Sequence, residues 1–250
     1  MQHLPAYLWA VTYATVAAMA AATAYVLYRG AQSAGLGARR ATAIGVGALV
    51  VLGGWLVASS VIAGQGRYHT RLGHGVPWLP IAVVGFFGVL MTLSRLPSVA
   101  RALSAPGALP RLMLPHAFRI EGIVFVIALL LGKLPALFAI PAGAGDIAVS
   151  LATPWITRKL TDGSGTRAAL WFNLFGIVDL IDALVLGGLT AFQVVAVSPS
   201  ASLNSQLPLA IVPTVGVPLL LALHIRSLVA LRSRVTADQP TSLSATPLAA

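Results

Sequence analysis

The sequence predicts an all-α polytopic membrane protein of seven transmembrane helices, with its N-terminus outside and its C-terminus in the cytoplasm. Three observations carry that prediction. The chain is 58% hydrophobic and 9% charged, with a mean hydropathy of +0.89, whereas about a quarter of residues are charged in soluble domains. Its 250 residues divide into apolar runs, each close to the roughly 20 residues that cross a bilayer as a helix, which leaves no room for a separate soluble domain. Arginine and lysine also fall unequally on the alternate connections between those runs, the asymmetry that orients membrane proteins.

The first run, Ala6 to Tyr28, is too long for the core of a secretory signal and no basic residue precedes it, so it reads as a retained first helix. Ala41 to Ala63 and Trp78 to Leu93 follow as the second and third segments. The stretch RLPSVARALSAPGALPRLMLP is broken by Pro97, Pro106, Pro110 and Pro115, and its mixture of arginine with leucine, valine and methionine suits a cytoplasmic interfacial stretch. The fourth segment is Phe118 to Phe138 and the fifth Pro141 to Thr157, in which Pro141, Gly143 and Gly145 predict a broken outer end. Ala168 to Val195 and Leu207 to Leu228 are the sixth and seventh. Helix seven should be kinked by Pro208, Pro213 and Pro218; Pro213 and Pro218 free the carbonyls of Leu209 and Thr214, which must then find other donors. Continuous apolarity argues against barrel strands, which alternate, and the absence of polar stripes argues against a soluble bundle. Residues 1–231 thus form one transmembrane domain, and the small, polar, proline-containing stretch 232–250 is expected to be a disordered cytoplasmic tail.

One set of connections holds Arg29, Arg39, Arg40, Arg95, Arg101, Arg111, Arg119, Arg158, Lys159, Arg167, Arg226, Arg232 and Arg234; the other holds Arg67, Arg71 and Lys133. Thirteen against three assigns the first set to the cytoplasm. A multi-pass protein of a bacterial inner membrane is the expected localisation. The net charge of +10 would suggest nucleic acid in a soluble protein, but these cations flank apolar runs, so the expected partner is a bilayer with anionic head groups. The chain has no cysteine, which excludes disulfides, thiolate metal sites, iron–sulfur clusters and cysteine nucleophiles.

Only six residues are acidic, and Glu121, Asp146, Asp179 and Asp182 lie in the predicted spans. Asp146 precedes Arg158 by 12 residues and Asp179 follows Arg167 by 12, so each sits about 18 Å from the same boundary and the two should meet across the helical hairpin. Asp182 shares a face with Asp179. Carboxylates at that depth need protons, a cation or water, so Asp146, Asp179 and Asp182 are the candidate ion or ligand site. The alternative is structural: Asp146 caps a helix restarting after PAGAG, and Asp179 and Asp182 bond to neighbouring helices.

A second polar group comprises His116, Arg119 and Glu121 at the start of helix four and His224 near the end of helix seven. Adjacent helices four and seven would bring Glu121 to His224. The group reads as the cytoplasmic end of a proton route, as a structural ion-pair cluster, or as haem or metal ligands at His116 and His224, which would need opposed imidazoles. Arg119 and Arg226 alternatively snorkel to lipid phosphates. His69 and His74 belong to a polar outer loop, without the cysteines or acids of a metal site. Trp9, Trp78, Trp155 and Trp171 stand near segment ends, as interfacial anchors do.

No P-loop, dinucleotide fingerprint, HExxH or GxSxG is present, so the sequence points away from catalysis and predicts no cofactor. The seven-helix plan resembles rhodopsins in topology alone, because the seventh segment has no lysine for a retinal Schiff base. The leading expectation is translocation of a proton, cation or small polar solute through a carboxylate-lined cavity. A non-transporting sensor, assembly or accessory subunit is the alternative, and a haem or metal protein the third.

Overall fold

A computed structural model describes residues 4–69 and 75–237, and every regular element among them is helical. Helices α1 (Ala6–Ser33) and α2 (Ala38–Gly64) form a hairpin. Its turn contains Gly35 and Gly37 at φ +69° and +81°, the left-handed region in which a side chain is disfavoured. Helix α3 (Trp78–Leu93) is followed after three residues by α4 (Pro97–Ser104), which turns 84° from it. Pro97 supplies that turn, since its missing amide and fixed φ suit the first turn of a new helix. Helix α5 (Ala108–Met113), a 3₁₀ helix (Leu114–Gly122) and α6 (Ile123–Leu130) run on as one candidate span. Helices α7 (Ala136–Thr161) and α8 (Thr166–Ala191) make a second hairpin. A short 3₁₀ turn (Ala201–Ser205) and a π-helical turn (Val212–Gly216) lead into α9 (Val217–Ala237).

Among the described residues, six helices are long and apolar enough to cross a membrane, or seven when α3 and α4 are taken as one bent span. The protein is therefore all-helical and built as a multi-pass membrane protein. The span Val212–Ser233 is 67% buried inside the bundle and Ala108–Leu130 is 56% buried, against 17% for Ala38–Gly64 and 22% for Thr166–Ala191. Thus α9 and the composite α5–α6 span form the interior, while α2 and α8 turn much of their surface outward.

The structure corrects three boundaries. The fourth span begins at Ala108, not Phe118, so His116, Arg119 and Glu121 lie inside it instead of at its start. It also ends at Leu130, not Phe138. Gly132 at φ +64° allows the amides of Gly132 and Lys133 to bond back to Leu129 and Ala128, and Pro135 caps the next helix; glycine after a helix followed by proline is a stop-and-restart signal. Consequently α7 passes unbroken through Pro141, Gly143 and Gly145, where a break was expected. Pro141 lies six positions into the helix and forfeits only the bond to the Leu137 carbonyl.

Helix α9 continues to Ala237, past the expected limit at Leu228; the remainder of the expected tail, 238–250, lies outside the described residues, as do Arg71 and His74. The kink expected around Pro213 takes the form of the π-helical turn. There the Trp55 indole N–H donates to the Thr214 carbonyl at 2.8 Å, which supplies the donor that Pro218 removes, and the Leu209 carbonyl accepts from the Val212 amide at 3.0 Å.

Candidate functional site

The site begins with the nine-residue 3₁₀ helix, Leu114–Gly122. Three residues per turn align positions i, i+3 and i+6, so His116, Arg119 and Gly122 stand in one row. On α7, Gly143, Asp146 and Ser150 follow the i, i+3, i+7 spacing of one helical face. That face meets the 3₁₀ row: a Cβ on Gly122 would fall 2.6 Å from the Asp146 Cβ and 2.8 Å from the Gly143 carbonyl oxygen. Ser150 donates its hydroxyl to the Ala117 carbonyl. Gly143 and Gly145 therefore serve close packing, because Gly145 similarly lies against the Asp179 carboxylate.

Arg119 is the centre and is fully buried. Its Nε donates to Asp146 Oδ1 at 2.6 Å, its Nη2 to Asp179 Oδ2, and its Nη1 to His224 Nε2 at 3.2 Å. Three helices thus converge on one guanidinium, whose rigid fork suits several acceptors at once. Because arginine can only donate, His224 Nε2 must accept, which places the imidazole proton on Nδ1. Nδ1 lies 2.9 Å from Asn173 Oδ1, and Asn173 Nδ2 donates to the Ala169 carbonyl at 2.7 Å. The chain of donors fixes His224 as neutral and the Asn173 amide in one orientation. Asn173, Gly176 and Asp179 are spaced by three on α8, and Gly176 leaves the space taken by the His224 ring.

The predicted residues are brought together in part. Asp146 and Asp179 meet, as the matched 12-residue spacing anticipates, through Arg119, which is their counter-charge and does not snorkel. Asp182 is half-buried and close enough to Asp179 to repel it, with no ion pair to a described residue. Glu121 does not meet His224: its Oε2 accepts from Thr15 of α1 at 2.9 Å, and it is near enough to Asp146 for the carboxylates to repel. His116 stacks face to face on His224, with ring centroids 3.9 Å apart and planes at 30°, and Phe172 meets His116 edge-on at 5.7 Å. Stacked imidazoles leave no room for an iron between them, so this geometry does not fit two axial ligands. Neither ring nitrogen of His116 has a hydrogen-bond partner among the described residues.

Above the network lies a cavity of about 710 Å³. Its walls include Leu79 and Val83 of α3, Phe125 of α6, Phe138 of α7, Leu180 and Leu184 of α8, and Val212 and Val217. Tyr68, His69, Gln193, Ser200, Ser202, Asn204 and Ser205 line it at the arginine-poor end of the bundle. His69 Nδ1 lies 3.0 Å from Ser205 Oγ, and Tyr68 joins Ser59 and Thr214 in a hydrogen-bonded series. Among the described residues, Asp146 is the only acidic one lining the cavity. Asp146 therefore both borders the cavity and pairs with Arg119.

Sequence reasoning missed Asn173, Gly122 and Thr15. The triplet spacings His116–Arg119–Gly122 and Asn173–Gly176–Asp179 were the available signals for the first two, since each aligns polar groups with a small residue. Thr15 carried no such signal.

The fold and site define a class: a multi-pass helical membrane protein with a buried arginine–carboxylate–histidine network beneath an apolar cavity. The chain belongs to the family described as Domain of unknown function (DUF8737), whose model matches residues 76–232. That stretch runs from just before α3 into α9 and contains every network residue except Thr15. No curated protein and no solved structure shows significant similarity to the chain.

Proposed function

We propose that this protein is a seven-pass carrier of a bacterial inner membrane that moves a proton or a small, partly apolar cation, using Asp146 as its binding carboxylate. The observation that carries this reading is that Asp146 is both the sole acid lining the 710 Å³ cavity and an ion-pair partner of buried Arg119. One guanidinium facing two carboxylates leaves an excess negative charge when both are ionised, and low-dielectric surroundings favour its neutralisation by a proton or cation. A cation reaching Asp146 competes with Arg119, loosening the contact between α7 and the 3₁₀ helix. Below it, Arg119, His224, His116 and Phe172 form the barrier to the opposite side. The apolar walls favour an organic cation over a sugar-like solute.

Seven passes follow if α3 crosses alone and α4 lies along the surface. With Arg119 inside the bundle, twelve arginines and lysines remain on one set of connections against three on the other, which favours an outer N-terminus, a cytoplasmic C-terminus and a cavity open to the outside. The test is flux into sealed proteoliposomes, with pyranine reporting protons and ethidium as the organic cation. Wild-type protein should transport one of them, and Asp146→Asn, folded by its thermal transition, should fall to the rate of empty vesicles. Unaltered flux in folded D146N rejects the carboxylate route.

A second reading is favoured by the completeness of the pairing around Arg119: a non-transporting sensor, assembly or accessory subunit whose polar network specifies helix packing. Under it, wild-type vesicles show no flux above empty ones, and D146N lowers only thermal stability.

A further inference from the structure

A second crevice, of about 380 Å³, lies among α1, α2, α3 and α9 at the arginine-rich end of the bundle. Trp55 of α2 and Phe86 of α3 stack with ring centroids 5.0 Å apart. From there toward the arginine-rich end, the crevice is lined by Val51 and Gly47 of α2, Leu90 of α3, Val26 of α1 and Leu223 of α9. Ala43 to Val51 spans eight residues, or about 12 Å, comparable with half of the roughly 30 Å hydrocarbon core. Helix α4, turned across the end of α3, contributes Ser98 and Val99 to that end.

Arg226 lines that same end, and its buried Nε has no partner among the described residues. Arg95 is near enough to repel it, and no carboxylate among the described residues lines the crevice. An acyl-chain-length apolar slot that ends at the Arg226 guanidinium, with exposed Arg95 nearby outside its lining, is complementary to one kind of membrane component. We propose that the crevice binds an anionic phospholipid from the leaflet on the arginine-rich side, with an acyl chain along Gly47 and Val51 and its phosphate at Arg226 and Arg95. Guanidinium groups form charge-assisted pairs with phosphate oxygens, and negative net headgroup charge distinguishes this ligand from a zwitterionic lipid.

The test is native mass spectrometry of the full chain in detergent, titrated with dioleoylphosphatidylglycerol or dioleoylphosphatidylcholine. Wild-type protein should favour the anionic lipid by about fivefold per engaged arginine. The Arg95→Gln/Arg226→Gln double variant should bind both lipids equally. Gly47→Phe keeps both arginines and extends into open space, since a Cβ at Gly47 meets nothing within 4 Å; it should lose the preferred adduct by filling the slot. Equal binding of the two lipids by wild-type protein overturns the proposal. So does a preference that survives either variant, or occupation of the crevice by a second copy, seen as a dimer without lipid.

Discussion

Glycines around Arg119 and most glycines on α2 and α3 do opposite things. At Gly122, Gly143, Gly145 and Gly176, a Cβ would collide with backbone or with the network side chains. At Gly47, Gly53, Gly54, Gly85 and Gly88 it would meet nothing within 4 Å. The first set lets the 3₁₀ helix, α7, α8 and α9 approach until one guanidinium reaches three side chains. The second set belongs to a looser flank, where α2 and α3 face outward and border the 380 Å³ crevice. Close approach, which carries van der Waals packing in a membrane, thus gathers the network helices, and a separate one at Gly30, where a Cβ would collide with the Ala102 carbonyl oxygen, brings α1 against α4.

The contrast breaks most visibly at Arg119. Arg119→Leu should destabilise the protein by about 3–5 kcal/mol, because two buried carboxylates lose their common cation, read as a lower thermal transition in detergent. Arg119→Lys should recover little, since an ammonium cannot reproduce the three-way fork. Next, Gly122→Ala should cost about 1–3 kcal/mol by overpacking, with the transition again falling; an unchanged transition means the network half is not tightly packed. On the looser side, Trp55→Phe preserves the aromatic stack but removes the donor to the Thr214 carbonyl. It should cost about 1–2 kcal/mol in the same measurement. The smallest effect belongs to Gly47→Ala, which should leave the transition unchanged or raise it by the equivalent of about 0.5–1 kcal/mol.

Much of this fold was legible as apolar runs. Helix α3 has the predicted limits, Trp78–Leu93, and α2 extends the predicted Ala41 to Ala63 by only a few residues. The meeting of Asp146 with Asp179 followed from helical rise and a short basic loop. That Arg119 is the cation between them was not anticipated, because four prolines made the stretch before Phe118 look interfacial and put Arg119 at a membrane boundary. A long 3₁₀ helix has no period of apolar residues that separates it from broken α-helix, so the row His116–Arg119–Gly122 was hidden by the wrong geometry. The PAGAG motif misled for a related reason: its glycines answer the approach of Gly122 and Asp179, which are remote in sequence. By contrast, the true break at Gly132–Pro135 carries an ordinary stop signal that the surrounding leucines concealed.

The central claim is that the cavity above Asp146 is a route from the arginine-poor side, closed below by the Arg119 network. The absence of native cysteine makes sided labelling a direct test. Ala183→Cys stands in the cavity wall, and Ser227→Cys is buried beyond His224 on α9. In sealed vesicles, a charged, membrane-impermeant methanethiosulfonate reagent applied to the arginine-poor side should modify A183C and leave S227C untouched. The same reagent applied only to the other side should modify neither. Inertness of folded A183C to the first application, or its modification from both sides, would contradict the account.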